Sequence, residues 1–98
     1  MFARVSTLQG APEGLDAGTA AVRDQVLPAA REMNGFKGML ALGDRATGKM
    51  IGITLWDSED AMRASDASAD QLRSGAAAAG ASNIVNVERF EVVVNETL

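Results

Sequence analysis

The apolar residues of this chain switch between a two-residue and a helical period in a fixed order, and that order leaves few folds open. From Phe2 to Gln9, Phe2, Arg4, Ser6 and Leu8 alternate with Ala3, Val5, Thr7 and Gln9, as in a strand. Gly10-Ala11-Pro12 interrupts the alternation, and Pro12 suits the turn that opens a helix. From Gly14 the spacing becomes helical, with Leu15, Val22, Val26, Ala29 or Ala30, and Met33 on one stripe. Pro28 lies in that stripe. It has no N–H and its ring crowds the preceding turn, which predicts a kink near residues 24–28 within one helix. Asn34-Gly35 is a helix stop, with Gly35 free to take positive φ.

The second strand follows at once: Phe36, Gly38, Leu40 and Leu42 alternate with Lys37, Met39, Ala41 and Gly43. The polar run Asp44–Lys49 reads as a hairpin loop. In the third strand, Met50–Trp56, Ile51, Ile53 and Leu55 oppose Met50, Gly52, Thr54 and Trp56. A second helix opens at Asp57-Ser58-Glu59-Asp60, where Asp57 or Ser58 caps the free N–H groups and the acids suit the helix dipole. Its inward stripe is Met62, Ser65, Ala69, Leu72 and Ala76, and Gly80 ends it. The last strand runs from Asn83 to about Val94, with Phe90, Val92 and Val94 facing one way and Val85, Val87 and Val93 the other. The order β-α-β-β-α-β predicts an α+β, ferredoxin-like domain over residues 1–98, a four-stranded antiparallel sheet with two helices on one face.

Two helices cover only one face of such a sheet, and the other is normally polar. Here Met39 and Ala41 oppose Leu40 and Leu42, Met50 and Trp56 oppose Ile51, Ile53 and Leu55, and the last strand carries Val on both sides. An apolar face of that extent marks an interface, so a homodimer through the sheet face is expected. The alternative is a monomer whose C-terminal segment folds under the sheet.

Composition removes whole classes of chemistry. The 98 residues include no Cys and no His. Disulfides, thiolate nucleophiles and Ser-His-Asp arrangements are therefore impossible, and the commonest metal ligand and neutral-pH base are missing. No metal site or cofactor is expected. The net charge is −4 and the basic residues are scattered, so neither nucleic acid nor an anionic membrane is an expected partner. The N-terminus reads straight into a strand rather than a signal peptide, and the cytoplasm is the expected location.

The run Ile53-Thr54-Leu55-Trp56-Asp57-Ser58-Glu59-Asp60-Ala61-Met62, preceded by Gly35-Phe36-Lys37-Gly38, resembles the antibiotic biosynthesis monooxygenase-like family of the dimeric α/β barrel superfamily. The resemblance implies a flat aromatic or quinone-like ligand in a cleft between sheet and helices, oxygenated without a cofactor. Haem-degrading members place a His on the second helix where this chain has Asp66, and an Asn on the first strand where it has Arg4 and Ser6. Haem chemistry is therefore not expected. The resemblance makes Trp56 a candidate catalytic residue by motif, and Arg4 is a positional guess for stabilising an oxyanion. Ser6, Thr54 and Asn86 are candidate substrate-binding groups.

Each candidate has a plain structural reading as well. Trp56 suits a core or interface anchor, and Arg4 a cross-sheet ion pair with Glu88 or Glu91. A non-catalytic dimeric binding or stress-related protein, and an isomerase or lyase using an Asp or Glu base, remain alternative functions.

Overall fold

Four antiparallel strands form one sheet in the order β2-β3-β1-β4, in a computed structural model that describes residues 1–96. They are β1 (Phe2–Gln9), β2 (Phe36–Gly43), β3 (Lys49–Trp56) and β4 (Asn83–Glu91). The helices are α1 (Leu15–Ala21), α2 (Leu27–Arg31), α3 (Glu59–Ala64) and α4 (Asp66–Ala79). This is the expected ferredoxin-like α+β arrangement.

Cross-strand register sorts the sheet into rows. On the helix side, Phe36, Trp56, Phe2 and Glu91 form one row, and Met39, Thr54, Arg4 and Arg89 the next. Ala41, Gly52, Ser6 and Val87 follow, then Gly43, Met50, Leu8 and Ile84. The far side carries Gly38, Leu55, Ala3 and Phe90; then Leu40, Ile53, Val5 and Glu88; then Leu42, Ile51, Thr7 and Asn86.

Two irregularities break simple alternation. A bulge between Phe36 and Gly38 keeps Phe36 beside Trp56, with ring centroids 5.6 Å apart in an edge-to-face contact. A second, opposite Thr7 and Leu8, skips Val85, so Val85 and Val87 do not share a face as strict alternation predicts. The last strand also ends at Glu91 rather than near Val94. The Val92 N–H still donates to the Met1 carbonyl, but Val93 and Val94 beyond it are exposed.

Before Pro28 the helix takes a π-helical turn, Val22–Val26, between α1 and α2, where a kink near residues 24–28 is expected. A wider turn spares the carbonyl that Pro28 cannot pair and its ring would crowd. The chain keeps helical dihedral angles throughout, so the two parts continue one another. Gly35 takes φ of 80° as expected, and its carbonyl accepts from Asp57 N–H at 2.8 Å, tying the start of β2 to the end of β3.

The second helix breaks at Ser65, which sequence periodicity does not predict. The Met62 carbonyl accepts from Ser65 Oγ at 2.7 Å and from Arg4 Nη2 at 2.6 Å. Two side chains thus claim an oxygen that a continuous helix would keep in its own ladder.

Of the two predicted caps, Ser58 takes the role, its Oγ accepting from Ala61 N–H at 3.1 Å. The short α3 begins there, so Ser58→Ala should cost about 1 kcal/mol. Urea unfolding of the two proteins measures this, and an unchanged midpoint would show that the cap is dispensable.

Candidate functional site

Arg4 and Trp56 meet because their positions lie in neighbouring rows on the helix side of the central strands. The Arg4 guanidinium carbon stands 5.5 Å from the centroid of the Trp56 ring, a cation–π geometry. Both are buried, Arg4 at 3% exposure and Trp56 at 1%. The Trp56 indole N–H donates to Thr54 Oγ1 at 3.0 Å, two residues back on the same face.

Arg4 is bound from the helices. Nη2 donates to the Met62 carbonyl, to Ser65 Oγ at 2.9 Å and to Asp66 Oδ1 at 2.5 Å. The same Asp66 oxygen lies 3.1 Å from Arg89 Nη2. Arg4 and Arg89 are direct cross-strand neighbours, so one carboxylate at the start of α4 serves both. The expected partners Glu88 and Glu91 make no ion pair with Arg4. Glu88 pairs with Val5 in the far-side rows, and Asp66 already occupies the space above Arg4.

One row further along, Ser6 Oγ accepts from Arg73 Nε at 2.9 Å, and Arg73 Nη1 bonds Asp70 Oδ1 at 2.5 Å.

Burial lowers the Arg4 pKa from its ordinary value against the pull of Asp66, and the charges of Arg73 and Arg89 push the same way as burial. For Asp66, burial raises the carboxyl, but hydrogen bonds from Arg89 and Arg4, together with their charges, outweigh it and hold the group below its usual range.

Between sheet and helices lies a partly open cavity of about 70 Å³. Arg4, Ser6, Thr54, Trp56 and Arg73 are among its lining residues, although the surface facing the space is almost wholly apolar. Val22, Val26, Met33, Met39, Met50 and Leu72 dominate the rest. Gly52 sits in the wall, and a Cβ built there would meet nothing within 4 Å.

The structure therefore brings together four of the five candidates: Arg4, Ser6, Thr54 and Trp56. It does not bring Asn86, whose register partner is Thr7; the side chain belongs to the exposed far-side row. Among the described residues, no cluster of three or more acidic side chains stands ready to hold a metal ion.

No protein-family model matches the chain. It is 35% identical to an uncharacterized protein of Mycobacterium tuberculosis over 94 residues, 96% of this chain and 39% of that protein. The chain thus spans about two-fifths of that relative's length. Among solved structures it resembles an assigned antibiotic biosynthesis monooxygenase from Deinococcus radiodurans, with a TM-score of 0.75, 17% identity, and 100% and 98% of the two chains covered. A variant of SnoaB, a cofactor-independent oxygenase from Streptomyces nogalater, gives a TM-score of 0.69 at 18% identity, covering 96% and 94%. The ActVA-Orf6 monooxygenase of Streptomyces coelicolor, solved with the ligand nanaomycin D, gives 0.68 at 18% identity, covering 98% and 92%. This chain has the antibiotic biosynthesis monooxygenase-like fold.

Within that fold, sequence reasoning missed Asp66, Arg73 and Arg89. Asp66 figures in the sequence only as the residue at the position of the haem-degrading members' His, and nothing there singles out Arg73 or Arg89. Their role depends on which charges the sheet and α4 bring together, and spacing along the chain carries no such signal.

Asp66 gives a pH test. A depressed folded-state pKa means that its stabilisation is complete above the unfolded value of about 3.9 and is lost as pH falls through the lower folded value. Below about pH 4, wild-type stability should fall more steeply than that of Asp66→Asn. Parallel urea midpoints for the two proteins across that range would overturn the linkage.

Gly52 gives a second test. With open space around its Cβ position, Gly52→Ala should stabilise the strand by about 0.4–1 kcal/mol through the unfolded state. A lower thermal midpoint for the variant would contradict the geometry.

Proposed function

We propose that this chain binds a flat, largely apolar small molecule in the cavity beside Trp56 and Arg4 and oxygenates it without metal or flavin. The observation that carries the reading is the cavity itself, an apolar space lined in part by the Trp56 ring and the Arg4 side chain stacked beside it. The likeness in fold to a cofactor-independent oxygenase supports the reaction class.

In this chemistry the bound, electron-rich anion supplies the electrons. Dioxygen adds to the substrate carbon, one oxygen atom is retained as a carbonyl, and the other leaves as water with the two hydrogens lost from that carbon. Arg4 holds the anionic oxygen, and Trp56 gives the ring a flat wall. Ser6 and Thr54 offer hydroxyls at the same surface. Oxygen uptake in the presence of quinols and anthrones should exceed the uncatalysed rate. Gly52→Leu, which fills the cavity, should reduce that uptake by about tenfold or more. No uptake by the wild-type protein across a broad panel would sink the oxygenase.

A second reading, binding without turnover, is favoured by a specific feature. Among the described residues, the cavity wall contains no carboxylate to act as a base. In that case the same ligands bind but consume no oxygen.

The working unit in either reading is a homodimer joined through the far side of the sheet. Leu40, Leu42, Val85 and Phe90 are each about half exposed or more, and they flank the Ile51, Ile53 and Leu55 stripe. Pairing two such faces removes them from water. Light scattering should give about twice the 10.2 kDa chain mass, and a value near 10.2 kDa at micromolar concentration would overturn the dimer.

A further inference from the structure

We infer that the part of the cavity above Gly52 is a dioxygen site, set apart from the Trp56 end where the ring lies. This rests on the oxygenase reading above and gives a place to its second substrate.

The first observation is space. Gly52 lines the cavity from the helix side of β3, and a Cβ built on it would meet no atom within 4 Å. At Gly10, Gly14, Gly35 and Gly48 the same atom would strike a neighbour at 2.8 Å or less. Those four glycines permit close packing, whereas Gly52 leaves a void. Met50 and Leu8 stand in the next row of the sheet and belong with Leu15 and Ala77 to the apolar core. On that side the void is bounded by packed side chains.

The second observation is dryness. The surface facing the cavity is almost wholly apolar. Its two hydroxyl oxygens already accept hydrogen bonds, Ser6 Oγ from Arg73 Nε at 2.9 Å and Thr54 Oγ1 from the Trp56 indole at 3.0 Å. A water molecule in a cavity needs roughly two to four polar partners, and an apolar cavity without them stays dry and takes up apolar guests.

Size is the third. The cavity, at about 70 Å³, has under half the volume of one of about 150 Å³ that accepts benzene or xenon. A ring held here must therefore extend through the open side, and the enclosed remainder suits a much smaller guest. Gly52 and Trp56 share one face of β3, four residues and about 14 Å apart, with Thr54 between them. A ring against Trp56 leaves the Gly52 end uncovered. Dioxygen is uncharged, needs no hydrogen bond and is held by dispersion alone, which is what walls of this kind offer.

Xenon is the probe for the void, an apolar atom that scatters X-rays strongly. A crystal of the wild-type protein pressurised with xenon should show an atom above Gly52. In Gly52→Ala, which puts a methyl group there, xenon should bind about tenfold more weakly, the scale of one methylene in an apolar pocket. Trp56 is the only tryptophan in the chain and lines the cavity, so quenching of its fluorescence by 1,4-naphthoquinone reports the ring separately. With an anthrone as substrate, the oxygen concentration for half-maximal uptake should rise several-fold in Gly52→Ala.

No xenon above Gly52 in the wild-type crystal would overturn the dioxygen site while leaving ring binding intact. An unchanged oxygen dependence in Gly52→Ala would reduce the void to a packing gap, even with xenon bound. Absence of quenching by the quinone would overturn ring binding, and absence of uptake by the wild-type protein would overturn the oxygenase and the dioxygen site together.

Discussion

A guanidinium closed off from water between a strand and a helix must be neutralised and hydrogen-bonded, or the fold loses several kilocalories per mole. Arg4 is such a group, and much of the molecule's second half is arranged around it. Its Nη2 draws on the carbonyl of Met62, the hydroxyl of Ser65 and the carboxylate of Asp66, three groups within five consecutive residues. The break between α3 and α4 falls in that stretch. The broken helix thus presents a carbonyl, a hydroxyl and a carboxylate to one cation, which a straight helix with an apolar stripe does not do. Asp66 gains a second cation because Arg89 stands opposite Arg4 in the sheet.

The cavity lies beside the same side chain. Helix positions above the central rows are filled by small or flexible residues, Ala69, Leu72 and Ala76 on one side and Met33 with the π-helical turn on the other. On the sheet side Gly52 contributes no side chain at all. A close-packed core would fill that space. Instead, the wall combines apolar side chains with a committed indole and two guanidiniums, one of which keeps an unused N–H. Small-molecule sites commonly have this make-up, a mainly apolar lining with a few polar groups that fix orientation.

The two faces of the sheet differ in what they carry. Its helix side carries the cavity and the Arg4 cluster, and its far side carries a broad apolar surface that one chain leaves exposed. Asn86 illustrates the division. It interrupts the valines of β4 and so reads as a candidate cleft residue, yet its register with Thr7 assigns it to the far side. The bulge that skips Val85 lies next to it, and local alternation cannot fix the phase of a strand across a bulge.

Sequence alone determined the element order, the positions of Gly35 and Ser58, the disturbance before Pro28 and the apolar character of both sheet faces. These follow from short-range rules: side-chain period, the missing N–H of proline, the tolerance of glycine for positive φ, and the need of a helix start for an acceptor. It also placed Arg4, Ser6, Thr54 and Trp56 on matching faces of two strands, which their pairing turns into one surface. Tertiary structure alone decided which acid meets Arg4, because Asp66 is 62 residues away and Glu88 and Glu91 were equally available by composition. It decided the break at Ser65, where a distant side chain competes for a helical carbonyl. It also decided that a cavity remains beside Trp56, since an empty volume depends on the distance between layers and has no signature in any single residue.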